Sequence, residues 1–109
     1  MISEMKDTHL YIKPEYNEKN SFGSQILSSD FSSDIVIDLL SFESTDESLF
    51  SYLNQIDKVV VSMGFCMVIV LKETPSISNI ESLKIVPTMV EAEDYIQMEQ
   101  IQRDLGLSL

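Results

Sequence analysis

The chain has 109 residues, enough for one domain and too few for two separate hydrophobic cores. Its 7 Lys+Arg against 18 Asp+Glu give a net charge of −11, so its surface repels phosphate backbones and anionic lipid, and neither nucleic acid nor a membrane is an expected partner. An apolar content of 44% is that of a folding domain and not of a disordered acidic tail, while a single cysteine (Cys66) and a single histidine (His9) exclude an internal disulfide and any metal site built on two imidazoles.

The first residues, Met1 to Asp7, lack the basic and apolar regions of a secretory signal. The longest apolar run, Phe65 to Leu71, is seven residues against the roughly 20 of a membrane-spanning helix. A cytoplasmic protein is expected, with residues 1–7 and 107–109 fraying at the ends of one domain.

Thr8 to Lys13 reads as a first strand, at a sheet edge, because it runs into Pro14, which cannot donate to a ladder. Glu15 to Gly23 is polar, and Ser24 to Leu27 is compatible with a brief strand or a helical turn. The stretch Ser28 to Asp34 is rich in Ser and Asp and reads as a loop. Ile35-Val36-Ile37-Asp38-Leu39-Leu40 is β-branched without polar alternation, the pattern of a central strand covered on both faces.

Ser44-Thr45-Asp46-Glu47 predicts a helix start, with Ser44 and Glu47 as a capping box. Leu49, Leu53, Ile56, Val60 and Met63 follow as one apolar stripe, and Gly64 stands where a helix C-cap glycine is expected. Phe65 to Leu71 is a second buried strand, so strand, helix and strand form a right-handed crossover between parallel neighbours. Ile77 to Leu83 suits a short helix, and Lys84-Ile85-Val86 a last strand stopped by Pro87.

Thr88 and Glu91 form a second capping box. The helix that follows carries apolar Met89, Ala92, Tyr95, Ile96, Ile101 and Leu105 and an acidic outer face, Glu91, Glu93, Asp94, Glu99 and Asp104 against Arg103, with Gly106 as C-cap. These elements describe an α/β sandwich, a mixed sheet of four or five strands with helices packed on it.

The order of elements resembles the STAS domain, the fold of anti-sigma-factor antagonists. Ile35-Val36-Ile37-Asp38-Leu39 resembles that family's hydrophobic strand with its Asp-Leu ending, and Phe42-Glu43-Ser44-Thr45-Asp46 sits where the family has an apolar residue followed by Asp-Ser-Ser-Gly. Gly64 to Leu71 resembles the strand after its first helix. The string Ile85 to Glu99 is similar to the ending of small STAS-like bacterial proteins often labelled ribonuclease Z. That label does not fit here, because a two-zinc nuclease needs several His ligands and this chain has one.

The resemblance implies a protein-interaction module with a phosphorylation switch. It makes Ser44 the candidate phosphoacceptor, with Thr45 in the second Ser position, and it makes Glu43, Ser44, Thr45, Asp46 and Glu47 the partner surface. Asp46 replaces the family's Gly with a carboxylate, so a phosphate on Ser44 would stand among Glu43, Asp46 and Glu47. The charge of the chain implies a partner protein with a basic patch and salt-sensitive association.

Each candidate also has a structural reading. Ser44 as a plain N-cap stabilises a helix by about 1 kcal/mol, and as a nucleophile it would need an adjacent base that the sequence does not place there. Asp34, Asp38, Glu43 and Asp46 suit a hard cation if gathered at one end of the sheet, yet they have no metal-loop spacing and read more simply as solvated acids. Cys66 reads as a buried small hydrophobe, His9 as a surface residue, and Met63, Met67, Met89 and Met98 as core or as an adaptable groove. The three isolated glycines form no phosphate loop. No enzyme, cofactor or metal is expected, and the alternative to a partner-binding module is a small-molecule or nucleotide binder at the sheet end.

Overall fold

Ile35-Val36-Ile37 and Met67-Val68-Ile69-Val70 are apolar at every position. Successive strand side chains point to opposite faces, so each run demands cover on both sides. A computed structural model, which describes residues 1–28, 32–73 and 82–106, supplies that cover. Its elements are β1 (Ile2–Met5), β2 (His9–Lys13), a 3₁₀ turn (Tyr16–Glu18), α1 (Phe22–Ser28), β3 (Asp34–Asp38), α2 (Glu47–Ser62), β4 (Met67–Val70), β5 (Lys84–Val86) and α3 (Met89–Asp104).

Among the described residues the strands form one mixed sheet in chain order, β1 antiparallel to β2 and every later neighbour parallel. Because β2, β3 and β4 advance in one direction across the sheet, crossovers of the same hand place α1 and α2 on the same face. Ile35, Ile37, Met67 and Ile69 meet Phe22 and Ile26 of α1 and Leu49, Phe50, Leu53, Ile56 and Val60 of α2 in one core. The alternate positions Val36, Val68 and Val70 meet Ala92 and Ile96 of α3 on the opposite face. The result is an α/β fold in three layers, with β3 buried along its whole length at the centre. No helix among the described residues is long and apolar enough to cross a membrane.

Gly23 sets the spacing of the helical layer. A Cβ built there would lie 2.6 Å from Ile56 Cδ1 and from the Tyr52 hydroxyl, so at this separation of α1 and α2 any larger residue would have to push the ends of those two side chains aside. At the other end of α2, Gly64 has φ +90, the left-handed conformation expected of a residue just past a helix end. Gly106 does the same for α3 at φ +70.

Several expectations are corrected by this arrangement. Residues 1–7 do not fray as a whole, because Ile2–Met5 forms β1 and pairs with β2 from Ile2 opposite Lys13 to Met5 opposite Leu10. All four β1 residues are exposed, so its order comes from backbone pairing and not from burial. The strand before Pro14 is therefore interior, bounded by β1 and β3, and Pro14 ends it without marking an edge. Ser24 to Leu27 is helical, part of α1. Met63 of the expected α2 stripe is exposed, while Phe50 and Asp57 join the buried face. On α3, Ile101 and Leu105 are exposed and only Ala92 and Ile96 are buried.

Of the expected loop from Ser28 to Asp34, Ser28 ends α1 and Asp34 opens β3, while residues 29–31 lie outside the described residues, as do residues 77–81 of the expected short helix from Ile77 to Leu83 and residues 107–109.

Candidate functional site

The loop between β3 and α2 leaves the carboxyl end of the central parallel strand, where open α/β sheets leave a crevice. Its path is fixed by two anchors. The Leu39 N–H donates to the Val70 carbonyl at 2.9 Å and the Phe42 N–H donates to the Leu39 carbonyl at 3.0 Å. Phe42 tucks into the core and meets the Tyr16 ring edge-on at 5.3 Å between centroids. With Phe42 turned inward, Glu43 and Ser44 are turned outward, and both are exposed, as are Asp46 and Glu47; Thr45 is half-buried.

The helix does not start on Ser44. Asp46 is the N-cap, its Oδ1 accepting the Leu49 N–H at 2.9 Å and the Ser48 hydroxyl at 2.8 Å. Aspartate and serine cap about equally well, so the position of the first buried residue decides. Leu49 is that residue, and it must occupy the third helical position for its side chain to reach the core. The predicted capping box of Ser44 and Glu47 is thus displaced by two residues, which leaves the Ser44 hydroxyl free of the capping role. At α3 the predicted cap is present, with the Glu91 N–H donating to Thr88 Oγ1 at 3.2 Å.

The Ser44 hydroxyl instead meets a residue from outside the predicted surface. Its Oγ lies 3.3 Å from the Tyr16 hydroxyl oxygen, and Lys19 Nζ donates to that same phenol oxygen at 3.2 Å. The ammonium also stands 4.6 Å above the Tyr16 ring and 3.8 Å from Asp46 Oδ2. Its hydrogen bonds hold the Tyr16 pKa below its ordinary value, the one with Ser44 first and the one from Lys19 second. The partnership with Tyr16 raises Lys19. Together Tyr16, Ser41, Glu43 and Ser44 line a cleft of about 310 Å³.

Tyr16 and Lys19 come from the 3₁₀ turn and its C-cap, a polar stretch that carries no periodic signal. That turn is closed by Glu15 and Glu18 as a reciprocal capping box, the Glu15 N–H donating to Glu18 Oε1 at 2.9 Å. An acidic residue followed three residues later by Glu is the one local signal of its presence.

The other acidic candidates do not join this site. Asp34 and Asp38 occupy the two ends of β3, so the sheet separates them by the length of the strand. Asp38 accepts the Tyr11 hydroxyl at 2.5 Å and the Leu40 N–H at 2.9 Å. Burial, with that carboxylate beside it, pushes the Tyr11 phenol up to about 12. Asp34 accepts from the Cys66 N–H at 2.9 Å, from Gln100 Nε2 at 2.9 Å and from Arg103 Nη2. Burial alone would raise the Asp34 pKa, but these hydrogen bonds, Arg103 foremost, outweigh it and hold the carboxyl below its ordinary 3.8. Asp34 therefore ties α3 to the amino end of β3 and the residues before β4. Among the described residues no group of three or more His, Cys, Asp or Glu is placed to hold a metal.

His9 lies buried at 3% exposure, not on the surface. β2 is an interior strand between β1 and β3, not the edge expected. Its Nδ1 meets the Thr8 hydroxyl at 2.9 Å and its Nε2 has no partner among the described residues. Burial lowers its pKa against the opposing pull of Glu93 and Asp34, with Lys6 adding to the lowering. Cys66 is half-buried, and burial beside Asp34 pushes its thiol up to about 12, which keeps it protonated and unreactive at neutral pH. The four methionines line no common groove: Met67 is in one core, Met89 packs on the other, and Met63 and Met98 are exposed. No family model matches the chain, and a search of curated proteins finds no match.

Proposed function

We propose that the chain is a cytoplasmic, non-enzymatic interaction module of the STAS kind, which binds a partner protein bearing a basic patch through Glu43, Ser44, Thr45, Asp46 and Glu47. Ser44 is the phosphoacceptor of this reading and Thr45 the second candidate. One observation supports it most: an exposed Ser44 hydroxyl, relieved of capping, sits 3.3 Å from the phenol oxygen that Lys19 also holds. A phosphate there adds close to two negative charges and strong acceptor oxygens. It would draw Lys19 from Tyr16 and change the sign pattern of the loop without unfolding α2, whose cap belongs to Asp46. The departure from Asp-Ser-Ser-Gly at Asp46 thus has a structural use in this chain.

Affinity capture with wild type and with Ser44→Asp tests the reading. The basic partner retained by wild type at low salt is expected to be lost from Glu43→Lys, to be held by Ser44→Asp up to a higher salt concentration, and to be released from wild type as salt rises. Identical partners for all three proteins would overturn it.

The cleft of about 310 Å³ beside Ser44 favours a second reading, since ligand pockets begin at roughly 300 Å³. A small molecule or nucleotide held there would raise the unfolding free energy by about 2.7 kcal/mol at a hundredfold excess over Kd. A melting temperature that does not move across a nucleotide and metabolite panel removes this reading and leaves the first intact.

A further inference from the structure

Helix α3 has two apolar faces. One, at Ala92 and Ile96, is buried on the sheet. At about 100° per residue, Val90, Met98, Ile101 and Leu105 fall within an arc of roughly 80° on the opposite side. All four are open to solvent, at 55% to 68% exposure. Large aliphatic side chains scattered singly over a surface need no explanation, but four on one helix face, with Asp94 between Val90 and Met98, gather apolar surface of the kind that marks an interaction site.

The charges beside the stripe decide what can cover it. Asp94 lies within that arc, Glu91, Glu93 and Asp104 flank it, and all four are exposed. Arg103, the one basic residue of α3, is turned away and engaged with Asp34 and the Gly64 carbonyl. A second copy would set these carboxylates against their own kind on a chain of net charge −11, and an anionic membrane would be repelled for the same reason. A partner of opposite charge is attracted instead.

We propose that the outer face of α3 docks a basic amphipathic helix of a partner protein, its apolar side chains along Val90, Met98, Ile101 and Leu105 and its Lys or Arg side chains against Glu91, Asp94 and Asp104. The surface lies across the sheet from α2 and is separate from the Ser44 loop, so the chain presents two faces to partners.

The probe is a synthetic Leu/Lys peptide of about 18 residues, long enough to span α3 as a helix, with all its leucines on one helical face. A peptide of the same composition, scrambled so that no such face forms, is the control. Calorimetry is expected to show saturable binding of the first and at least about tenfold weaker binding of the second, with amide shifts in the NMR spectrum confined to α3. Ile101→Ser with Leu105→Ser is expected to lose about tenfold in affinity while keeping its charge, whereas Ser44→Asp binds as wild type does.

Equal binding of the scrambled peptide would reduce the attraction to charge alone and overturn the proposal. So would unchanged affinity of the double variant, shifts outside α3, or a wild-type dimer in sedimentation that the double variant disperses. The substituted side chains are exposed, so the melting temperature should hold; if it falls, the wild-type shift map decides the question by itself.

Discussion

Alanine at Phe50 is expected to lower the unfolding free energy by about 3–5 kcal/mol, a large share of the roughly 5–15 kcal/mol that holds a domain of this size together. Phe50 is 1% exposed and stands on α2 among Ile35, Ile37 and Met67 of the sheet and Phe22 of α1, in the core that joins those elements. Truncation removes the transfer free energy of the ring and leaves a cavity in a core shared by the sheet and both helices of that face, which relaxes only in part. Leucine at the same site fills much of the space and should cost less, about 1–2 kcal/mol. Urea titration followed by circular dichroism measures both: the midpoint should fall while the slope stays constant. A change below about 1 kcal/mol for the alanine variant would mean that α2 does not pack as described.

The same residue shows where periodicity succeeds and where it stops. The stripe Leu49, Leu53, Ile56, Val60 places α2 on the sheet correctly, since three- and four-residue steps accumulate along one face whatever the tertiary context. Phe50 lies one residue beside that stripe, on the flank away from Tyr52 that it shares with Asp57, and its burial comes from tertiary packing that the period does not encode. Met63 continues the rhythm but falls in the turn that Gly64 ends, beyond the edge of the sheet. The two buried strands were legible because they are apolar on both sides. Strand β1 was not: Ile2-Ser3-Glu4-Met5 buries nothing, and only its hydrogen bonds to β2 define it.

The candidate site divides in the same manner. Glu43, Ser44 and Asp46 lie in the loop where their neighbours predict them, because a strand rich in Ile and Val and a helix stripe bracket them on both sides. Which of them caps the helix was not readable from the tetrad alone, as two capping-competent side chains stand two residues apart and Leu49 selects between them. Tyr16 and Lys19 reach Ser44 only after β2 and β3 pair in parallel, from a stretch without hydrophobic pattern. Asp34 and Asp38, adjacent to one another in any list of acids, are separated by the strand that carries them, and each takes partners from elements distant in the chain.

Methionine in place of Arg103 is expected to destabilise the protein by about 2–3 kcal/mol at neutral pH. Removing one partner of a buried pair typically costs about 3–5 kcal/mol. The guanidinium here is 34% exposed against 2% for the Asp34 side chain, and the carboxylate keeps the Cys66 N–H and Gln100, so the cost falls to the lower end of that range or just below it. Leucine at Asp34 together with methionine at Arg103 should recover most of the loss, because no unpaired charge is then buried.

The pH profile separates this pair from His9. With its native pKa below 3.8, Asp34 contributes stability that is fully present above that value and is lost as pH falls through the native pKa. His9, whose native pKa lies below 6.5, is neutral in the fold, so the unfolded chain binds the extra proton and stability declines once pH drops below about 6.5. Wild type should therefore weaken in two stages on acidification. In Arg103→Met, burial dominates Asp34 and raises its pKa, so protonation no longer penalises the fold. The gap between variant and wild type should then begin to narrow above pH 3.8, where Asp34 of the variant takes up its proton, and narrow further below it as wild type loses the Asp34 contribution, while the stage near pH 6.5 stays in both. Urea midpoints at pH 7, 5 and 3.5 measure this, and a gap constant across all three would show that Arg103 acts by packing its alkyl chain and not through the Asp34 charge.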